Sequence, residues 1–373
     1  MGNCKGDVIT KASTHTIKKF ELIEKYITRW AENLMNYKEC EVLVYIDCMC
    51  SSGIYRDKEG NAIEGSAIRV ARVLLNVANR YPDKRVEIYF NDLNIAKIVE
   101  LKKHLPKRTQ NFEIIIDNKD AGDYLKEIGS QLYGRPHLHY FLLYDPYDAD
   151  INWGALVPFF RNWGEVLINH MISDPVRAIR TVKKETTKEK YEQTYLTAFE
   201  NLLPYGSNRH IYEERVRMII NQMNRERPCY VATFPFFNGN NAFQYDLIHY
   251  TSNPIGFKLF KKCAWQVFGG KSSAKHGKQS ELQEMSFNFD GSTDAQLVLP
   301  VDAECFTISD IAEFLWRTFK GKKNVLLEDV WRVLDNHPIF PADGFRKQIK
   351  KKLTLYHNVK VEKISDKETL TFM

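Results

Sequence analysis

Four acids in this chain each follow a short apolar run. Asp47 follows Val42-Leu43-Val44-Tyr45-Ile46, and Asp92 comes just after the run Arg85 to Phe90. Asp117 closes Phe112 to Ile116, and Asp145 follows His139 to Tyr144. Acids at the carboxyl ends of buried strands stand where open α/β sheets hold their ligands. After Asp47 come the small residues Cys48, Cys50, Ser51, Ser52 and Gly53, which let a backbone approach a ligand closely. Pro146 stops the strand before it, so Asp145 and Tyr147 fall at the sheet's edge. There Asp145 can accept a proton or a hydrogen bond from an amino group, and Tyr147 can stack on a base or line a pocket. Asp92 suits a ribose hydroxyl pair, since a carboxylate accepts two hydrogen bonds; it equally suits capping of the next helix. Asp117 and Asn118 can meet an adenine edge, while Asp120 caps the helix after them. A plain buried strand and loop would carry the same letters from Glu41 to Tyr55.

These residues need a frame. Between the strand candidates lie helical stretches, Ser66 to Asn79, Ile95 to Leu105, the helix opened by Asp120, and Trp153 to Arg161; a fifth strand is predicted over Trp163 to Asn169. Five alternations call for a parallel, doubly wound sheet with right-handed crossovers. A leading helix, Thr14 to Asn36, has Ile17, Phe20, Ile23, Ile27 and Trp30 on one face, with Lys18, Lys19 and Lys25 outside it. His15 and Lys18 could touch a ligand near the first strand's end. Tyr55 to Gly65 reads as a loop. A polar helical insert runs over about 174–226, with Arg177, Arg180, Lys183 and Lys184 making a basic stretch that suits a solvated face or nucleic-acid contact. Tyr230 to Phe234 and Tyr245 to Tyr250 form an edge hairpin around an Asn/Gly turn, followed by a helix from Pro254 to Phe268.

The 373 residues are 44% hydrophobic and 27% charged, an ordinary globular composition. The net charge of +6 and pI near 8.7 are mildly basic and prove no nucleic-acid partner by themselves. Seven cysteines without a C-x-x-C pattern suit reduced thiols, and ten histidines without H-x-x-x-H spacing argue against a metal enzyme. No apolar run is long enough to span a bilayer. The start lacks a signal peptide's apolar core, and Gly6 breaks the myristoylation pattern. The chain is expected to be cytoplasmic and not membrane-bound.

The expected division is an α/β domain over 1–270, a polar linker over 271–300 and a second domain over 301–373. The tail reads as helices Ile308 to Thr318, Leu327 to Asn336 and Ala342 to Leu353, then a hairpin, Val359 to Ile364 and Thr369 to Phe372; that order suits a winged helix. Arg346, Lys347, Lys350, Lys351 and Lys352 make its third helix strongly basic, as a nucleic-acid-binding helix requires, though a solubilising surface would look the same.

The order of motifs resembles the three-Cys-motif partner proteins, a bacterial family with a class I methyltransferase-like, Rossmann-like fold. The matching pieces are Tyr26 and Trp30, Tyr45-Ile46-Asp47 with Ser52-Gly53-Ile54-Tyr55, Gly65-Ser66-Ala67, Asp145-Pro146-Tyr147, Trp153, Val166 to Asn169 and Tyr245 to Val267. Where that family reads Asp-x-Phe-Ala-Gly-Pro-Gly-x-Tyr, this chain reads Asp47-Cys48-Met49-Cys50-Ser51-Ser52-Gly53-Ile54-Tyr55. The aspartate, last glycine and tyrosine hold, and the intervening residues differ. The resemblance implies S-adenosylmethionine as cofactor. Asp47, Cys48, Gly53 and nearby backbone would hold its amino-acid end, Asp92 its ribose, and Asp117 or Asn118 its adenine. Asp145, Pro146 and Tyr147 would face the methyl group. Asp-Pro-Tyr also looks like the Asp-Pro-Pro-Tyr of amino-methylating nucleic-acid enzymes, one proline short. The family's name further implies a three-cysteine partner protein.

Three functions are therefore expected in order: a methyltransferase acting on nucleic acid, a non-catalytic methyltransferase-like module that binds nucleic acid or a partner protein, and a methyltransferase for a protein or small molecule.

Overall fold

In a computed structural model, residues 8–161, 164–225, 227–275 and 305–373 are described. The chain forms two compact units, Met1–Leu259 and Phe260–Met373, and the division falls inside a helix, α10 (Pro254–Val267). The linker expected over 271–300 lies mostly outside the described residues.

The first unit is built on seven strands: β1 (Val42–Asp47), β2 (Arg85–Asn91), β3 (Phe112–Asp117), β4 (Leu138–Tyr144), β5 (Gly164–His170), β6 (Tyr230–Phe237) and β7 (Phe243–Thr251). Their order is β3-β2-β1-β4-β5-β7-β6. The first five are parallel, and β7 runs antiparallel to both β5 and β6. In register, Asp47 lies opposite Phe90 and Leu143, Asn91 opposite Asp117, and Tyr144 opposite Ile168. That register brings the residues after all five parallel strands to one edge.

Both faces of the sheet are covered, which explains the nearly unbroken apolar runs. On one face lie α1 (Thr14–Met35) and α2 (Ser66–Arg80), tied by Arg69–Glu24 and Arg80–Glu32 pairs, each 2.9 Å. Tyr26 and Trp30 of α1 set their rings 5.7 Å from that of Phe141, which stacks on Tyr45. The Tyr26 hydroxyl donates to Glu165 Oε2, which also meets His249 Nε2 at 2.8 Å, so α1 is fastened to β5 and β7 through buried polar atoms. α3 (Ile95–Lys102) follows β2. The other face buries Val44, Ile46, Leu142, Val166, Ile168 and Ile248 against α4 (Ala121–Leu132), α5 (Trp153–Leu156) and the insert.

The insert is helical, as expected: α6 (Ser173–Ala178), α7 (Glu185–Tyr195), α8 (Phe199–Leu202) and α9 (Arg209–Met223). It is less solvated than its composition suggests, since Tyr191, Tyr195, Tyr212, Val216, Ile219 and Ile220 join the core. Thr194 stitches it to the segment after β4. Its Oγ1 accepts from Ile151 N and donates to Ala149 O, both 3.0 Å, and its carbonyl accepts from Trp153 Nε1 at 2.8 Å.

Several boundaries differ from expectation. The segment 55–65 is a small hairpin, Ile54–Arg56 with Ala62–Glu64, and Thr10–Lys11 adds a parallel strand to it. The helix predicted from Trp153 breaks after Leu156 into a 3₁₀ turn, Val157–Phe159, where Pro158 cannot donate to an α-helical ladder. β6 continues through Pro235, which sits opposite Asp246 on the sheet's outermost strand, a position that tolerates proline. The fifth strand starts at Gly164; Trp163 lies outside the described residues.

In the second unit α11 (Ile308–Phe319) carries a capping box between Thr307 and Asp310. α12 (Leu327–Asn336) and α13 (Arg346–Tyr356) follow, with β8 (Val325–Leu326), β9 (Lys360–Ile364) and β10 (Lys367–Thr371) in the order β8-β10-β9. Positive φ at both Ser365 and Asp366 makes the tight turn between β9 and β10. α13 starts four residues later than predicted because Gly344, at φ +84°, and Phe345 form a turn before it. Trp265, Phe306, Phe314 and Phe340 form an aromatic core. Lys261 is fully buried and donates to Leu334 O, Asp335 O and His337 O at 2.6–3.1 Å, satisfying the end of α12. Lys261→Met is expected to cost about 1.5–3 kcal/mol, the range for a hydrogen bond to a charged group. A urea titration showing no shift in the second unit's unfolding would refute that role.

Candidate functional site

The loop after β1 turns back under the sheet's carboxyl edge and is itself buried. Cys50 N donates to Asn91 O and Ser51 N to Asp92 Oδ2, both 2.9 Å, with Ser51 in the left-handed region at φ +58°. Gly53, at φ +71°, leaves no room for a side chain: a Cβ would lie 2.5 Å from Leu101 Cδ1 and 2.9 Å from Ile68. Packing of α2 and α3 therefore demands this glycine, whatever the ligand.

Asn91 and Asp92 lace the neighbouring loops together. The Asn91 amide donates to Cys48 O and Lys119 O at 3.0 Å and accepts from Lys119 N at 2.9 Å. Asp92 accepts from Ser51 N through Oδ2 and from Asn94 N, at 2.8 Å, through Oδ1. It does not cap α3; the Asn94 side chain does, accepting from Ala96 N. Asn118 donates to Asp92 O at 2.6 Å, and the half-buried Asp117 lies 3.7 Å from Lys119. Beside this acid Leu93 is 68% exposed, an uncovered apolar side chain at a polar edge.

The centre of the edge is Asp145. Its Oδ2 accepts from Lys19 Nζ at 2.6 Å, and its Oδ1 accepts from Asn169 Nδ2. Lys19 is buried on α1, two turns before Tyr26, with its ammonium 5.3 Å from the centre of the Tyr245 ring. The Tyr245 hydroxyl donates to His15 O, and burial together with the Lys19 charge lowers the His15 imidazole to about 4. Tyr147 is 64% exposed; its hydroxyl accepts from Lys97, whose ammonium also lies 4.7 Å from the ring centre. Pro146 is buried between them.

Asp47 is the second acid of this centre. It is 1% exposed, and burial, followed by the charge of Asp145, pushes its carboxyl up to about 8. Its Oδ1 accepts from Met49 N at 3.2 Å. Cys48, also buried, directs its thiol to Leu143 O. Two carboxyl groups thus meet at the ends of adjacent strands with one ammonium, paired to Asp145.

The structure brings Asp47, Cys48, Gly53, Asp92, Asn118, Asp145, Pro146 and Tyr147 to one edge, with Asp117 at its margin. Lys19 and Asn169 escaped the sequence reading. Lys19, expected outside the apolar face of α1, is buried: it precedes Ile23 by four residues and Tyr26 by seven, the spacing of the buried stripe. Lys18, singled out instead, pairs with Glu21 in the same helix. Among the five cations of α13, Arg346 pairs with Asp343 and Lys350 with Glu368, while Lys347, Lys351 and Lys352 make no ion pair among the described residues. Beside them Leu355 and Tyr356 are exposed, and the Lys352 ammonium lies 4.5 Å from the Tyr356 ring centre.

The strand order, with an antiparallel strand between the fifth and sixth in sequence, makes an open, mostly parallel, Rossmann-like α/β sheet. No protein-family model matches the sequence, and no curated protein does. Among solved structures, the chain is similar to an O-methyltransferase from Bacillus cereus in complex with S-adenosylhomocysteine, at 10% identity over 61% of this chain and 80% of that one, TM-score 0.34. It is also similar to the O-methyltransferase TomG from Streptomyces achromogenes with S-adenosylmethionine, at 12% identity over 62% and 79%, TM-score 0.32. Human methyltransferase-like protein 13 with S-adenosylhomocysteine aligns at 8% identity over 71% and 95%, TM-score 0.33. At such scores these likenesses carry no argument about activity. Among the described residues no helix is long and apolar enough to cross a membrane.

Asp47 holds its proton in the folded chain up to about pH 8, whereas the unfolded chain releases it near pH 4. Its contribution to stability is therefore complete below about pH 4 and is lost as pH rises through about 8. Asp47→Asn is expected to unfold at a higher temperature than the parent above pH 8 and at a similar one near pH 4. Scanning calorimetry that finds the variant equally destabilised at both pH values would refute the buried-acid account.

Proposed function

We propose that the chain binds S-adenosylmethionine at the carboxyl edge of the sheet and transfers its methyl group to a nucleic-acid acceptor held at Asp145. The observation that carries this reading is the pair of acids at the ends of adjacent strands, Asp145 held by Lys19 and Asn169, and Asp47 buried beside it. S-adenosylmethionine carries both a sulfonium and an ammonium group, and an edge lined by carboxyl groups suits such a ligand.

The residues fit the cofactor. Asp47 and the backbone around Cys48 and Gly53 suit its amino-acid end. Each oxygen of Asp92 accepts one bond and keeps a lone pair for a ribose hydroxyl. The uncovered Leu93 side chain offers a base an apolar platform beside Asp117 and Asn118. Bound there, the cofactor supplies an electrophilic methyl group. The chain's part is positioning: Lys19 and Asn169 fix the Asp145 carboxylate, Pro146 holds the turn, and Tyr147 presents an exposed ring to the acceptor. In the second unit, the order helix, strand, helix, helix, hairpin supports a winged-helix reading, and Lys347, Lys351 and Lys352 beside Tyr356 suit a nucleic-acid backbone and base. Resemblance to the three-Cys-motif partner proteins adds a three-cysteine protein as a proposed partner.

A second reading, a non-catalytic module that binds nucleic acid or a partner, is favoured by one observation. Ser51, in a left-handed turn, spends its N–H on Asp92, so the loop is held by its own chain.

Calorimetric titration with S-adenosylhomocysteine separates the two. Saturable binding is expected, lost in Asp92→Ala and kept in Asp145→Ala, which should lose methyl transfer. A folded protein that binds none would overturn the first reading. Replacing Lys347, Lys351 and Lys352 by Gln should lower the slope of log affinity against log salt by about 2–3, at 0.7–0.9 per phosphate contact. An unchanged slope in a filter-binding series would remove α13 from the interface.

A further inference from the structure

We infer that a cavity at the amino edge of the large sheet, opposite the edge that carries Asp145, is a second ligand site, and that it takes a small primary amine whose ammonium is held by Glu165 and whose apolar body lies against Trp30 and Leu34. This inference goes beyond the methyltransferase reading and does not rest on it.

The cavity measures about 300 Å3. At about 30 Å3 for each water-sized volume, it admits a molecule of about ten heavy atoms, at the small end of ligand sites. It lies within the first unit, where β4 and β5 begin and β7 ends. His139 is the second residue of β4, Glu165 is the second of β5, and Thr251 closes β7 opposite Glu165 in register. Trp30 and Leu34 stand one turn apart on α1 and give the cavity an apolar wall.

The carboxyl group of Glu165 decides what the cavity takes. Its Oε2 is engaged by the Tyr26 hydroxyl and by His249 Nε2. Its Oε1 accepts no hydrogen bond among the described residues and is left to face the cavity. Gly256 has no side chain to cover that oxygen; a Cβ there would collide with it. The first turn of α10 does not serve it either, since Pro254 has no N–H and those of Ile255 and Phe257 go to Asn253. Among the described residues no lysine or arginine lines the cavity. His139 adds no charge near neutral pH, because burial lowers its imidazole to about 4 against the pull of Glu165. Glu165 is 7% exposed, and a carboxylate so enclosed, with no cation on the walls around it, favours a ligand that brings a positive charge and N–H donors. An ammonium supplies both. Thr251 Oγ1 accepts from Asn253 N at 3.0 Å and keeps a lone pair for a second ammonium proton. An anion would meet a like charge at Glu165, and a neutral alcohol would bring a hydrogen bond without the charge.

The test is calorimetric titration of the full chain with 2-phenylethylamine, with 2-phenylethanol as the uncharged control. Saturable one-site binding of the amine in the millimolar range or tighter is expected, with the alcohol weaker by about tenfold or more. Glu165→Gln keeps an oxygen for Tyr26 and His249 but puts an amide N–H2 in place of the open oxygen, and should weaken the amine by about tenfold or more. Leu34→Lys, at a half-buried position on the wall, supplies an ammonium from the chain itself and should weaken the amine as much; it decides the matter if Glu165→Gln does not fold. Asp145→Asn should bind the amine as the parent does. A folded parent that binds no amine overturns the inference. So does an alcohol that binds as tightly as the amine, or a folded Glu165→Gln or Leu34→Lys variant with the parent's affinity. Binding lost in Asp145→Asn instead would put the amine at the carboxyl edge and overturn it as well. Binding of S-adenosylhomocysteine, measured separately, stands or falls on its own.

Discussion

Two carboxyl groups at the ends of neighbouring strands cannot both be charged in a dry site at little cost. That constraint organises the carboxyl edge. α1 delivers Lys19 to Asp145; Asp47, deeper and without its own cation, keeps its proton. Lys19 can be delivered only because α1 is fixed two turns further on, where Tyr26 reaches Glu165 and packs on Phe141. The leading helix is thus part of the site, and the sheet's interior sets where its ammonium stands.

Much of the sheet was legible because its signals are local. Buried parallel strands read as β-branched and apolar runs, and acids after them mark the edge where the chain turns. The five parallel strands and the antiparallel hairpin follow from such runs. Less was legible where partners are distant in sequence. Asn169 meets Asp145 through strand register alone, 24 residues away. Lys19 looked like a solvent-facing lysine, since a lysine within an apolar stripe needs a buried acid to justify it, and that acid lies 126 residues on. Gly53 looked like a glycine for ligand approach; the structure adds Ile68 and Leu101, whose methyl groups fill its missing side chain.

Asn91 shows how strand ends become a site. One amide side chain satisfies three backbone groups from the loops after β1 and β3. Those loops have little regular structure of their own, so their positions depend on this residue and on Asp92 next to it. The second unit solves a similar problem with a charge, the buried Lys261, which gathers three carbonyls at a helix end.

The stitch made by Thr194 has a consequence for motion. The segment 145–152 follows β4, but its outer half is held by a helix that comes after β5. Opening of that segment is therefore coupled to opening of the insert, and the two form one cooperative unit in the sense of native-state hydrogen exchange. Amides of Ile151 and Trp153 should exchange with the protection of α7 rather than that of the central sheet. A turn tethered in this way opens together with the insert rather than with the strand it follows.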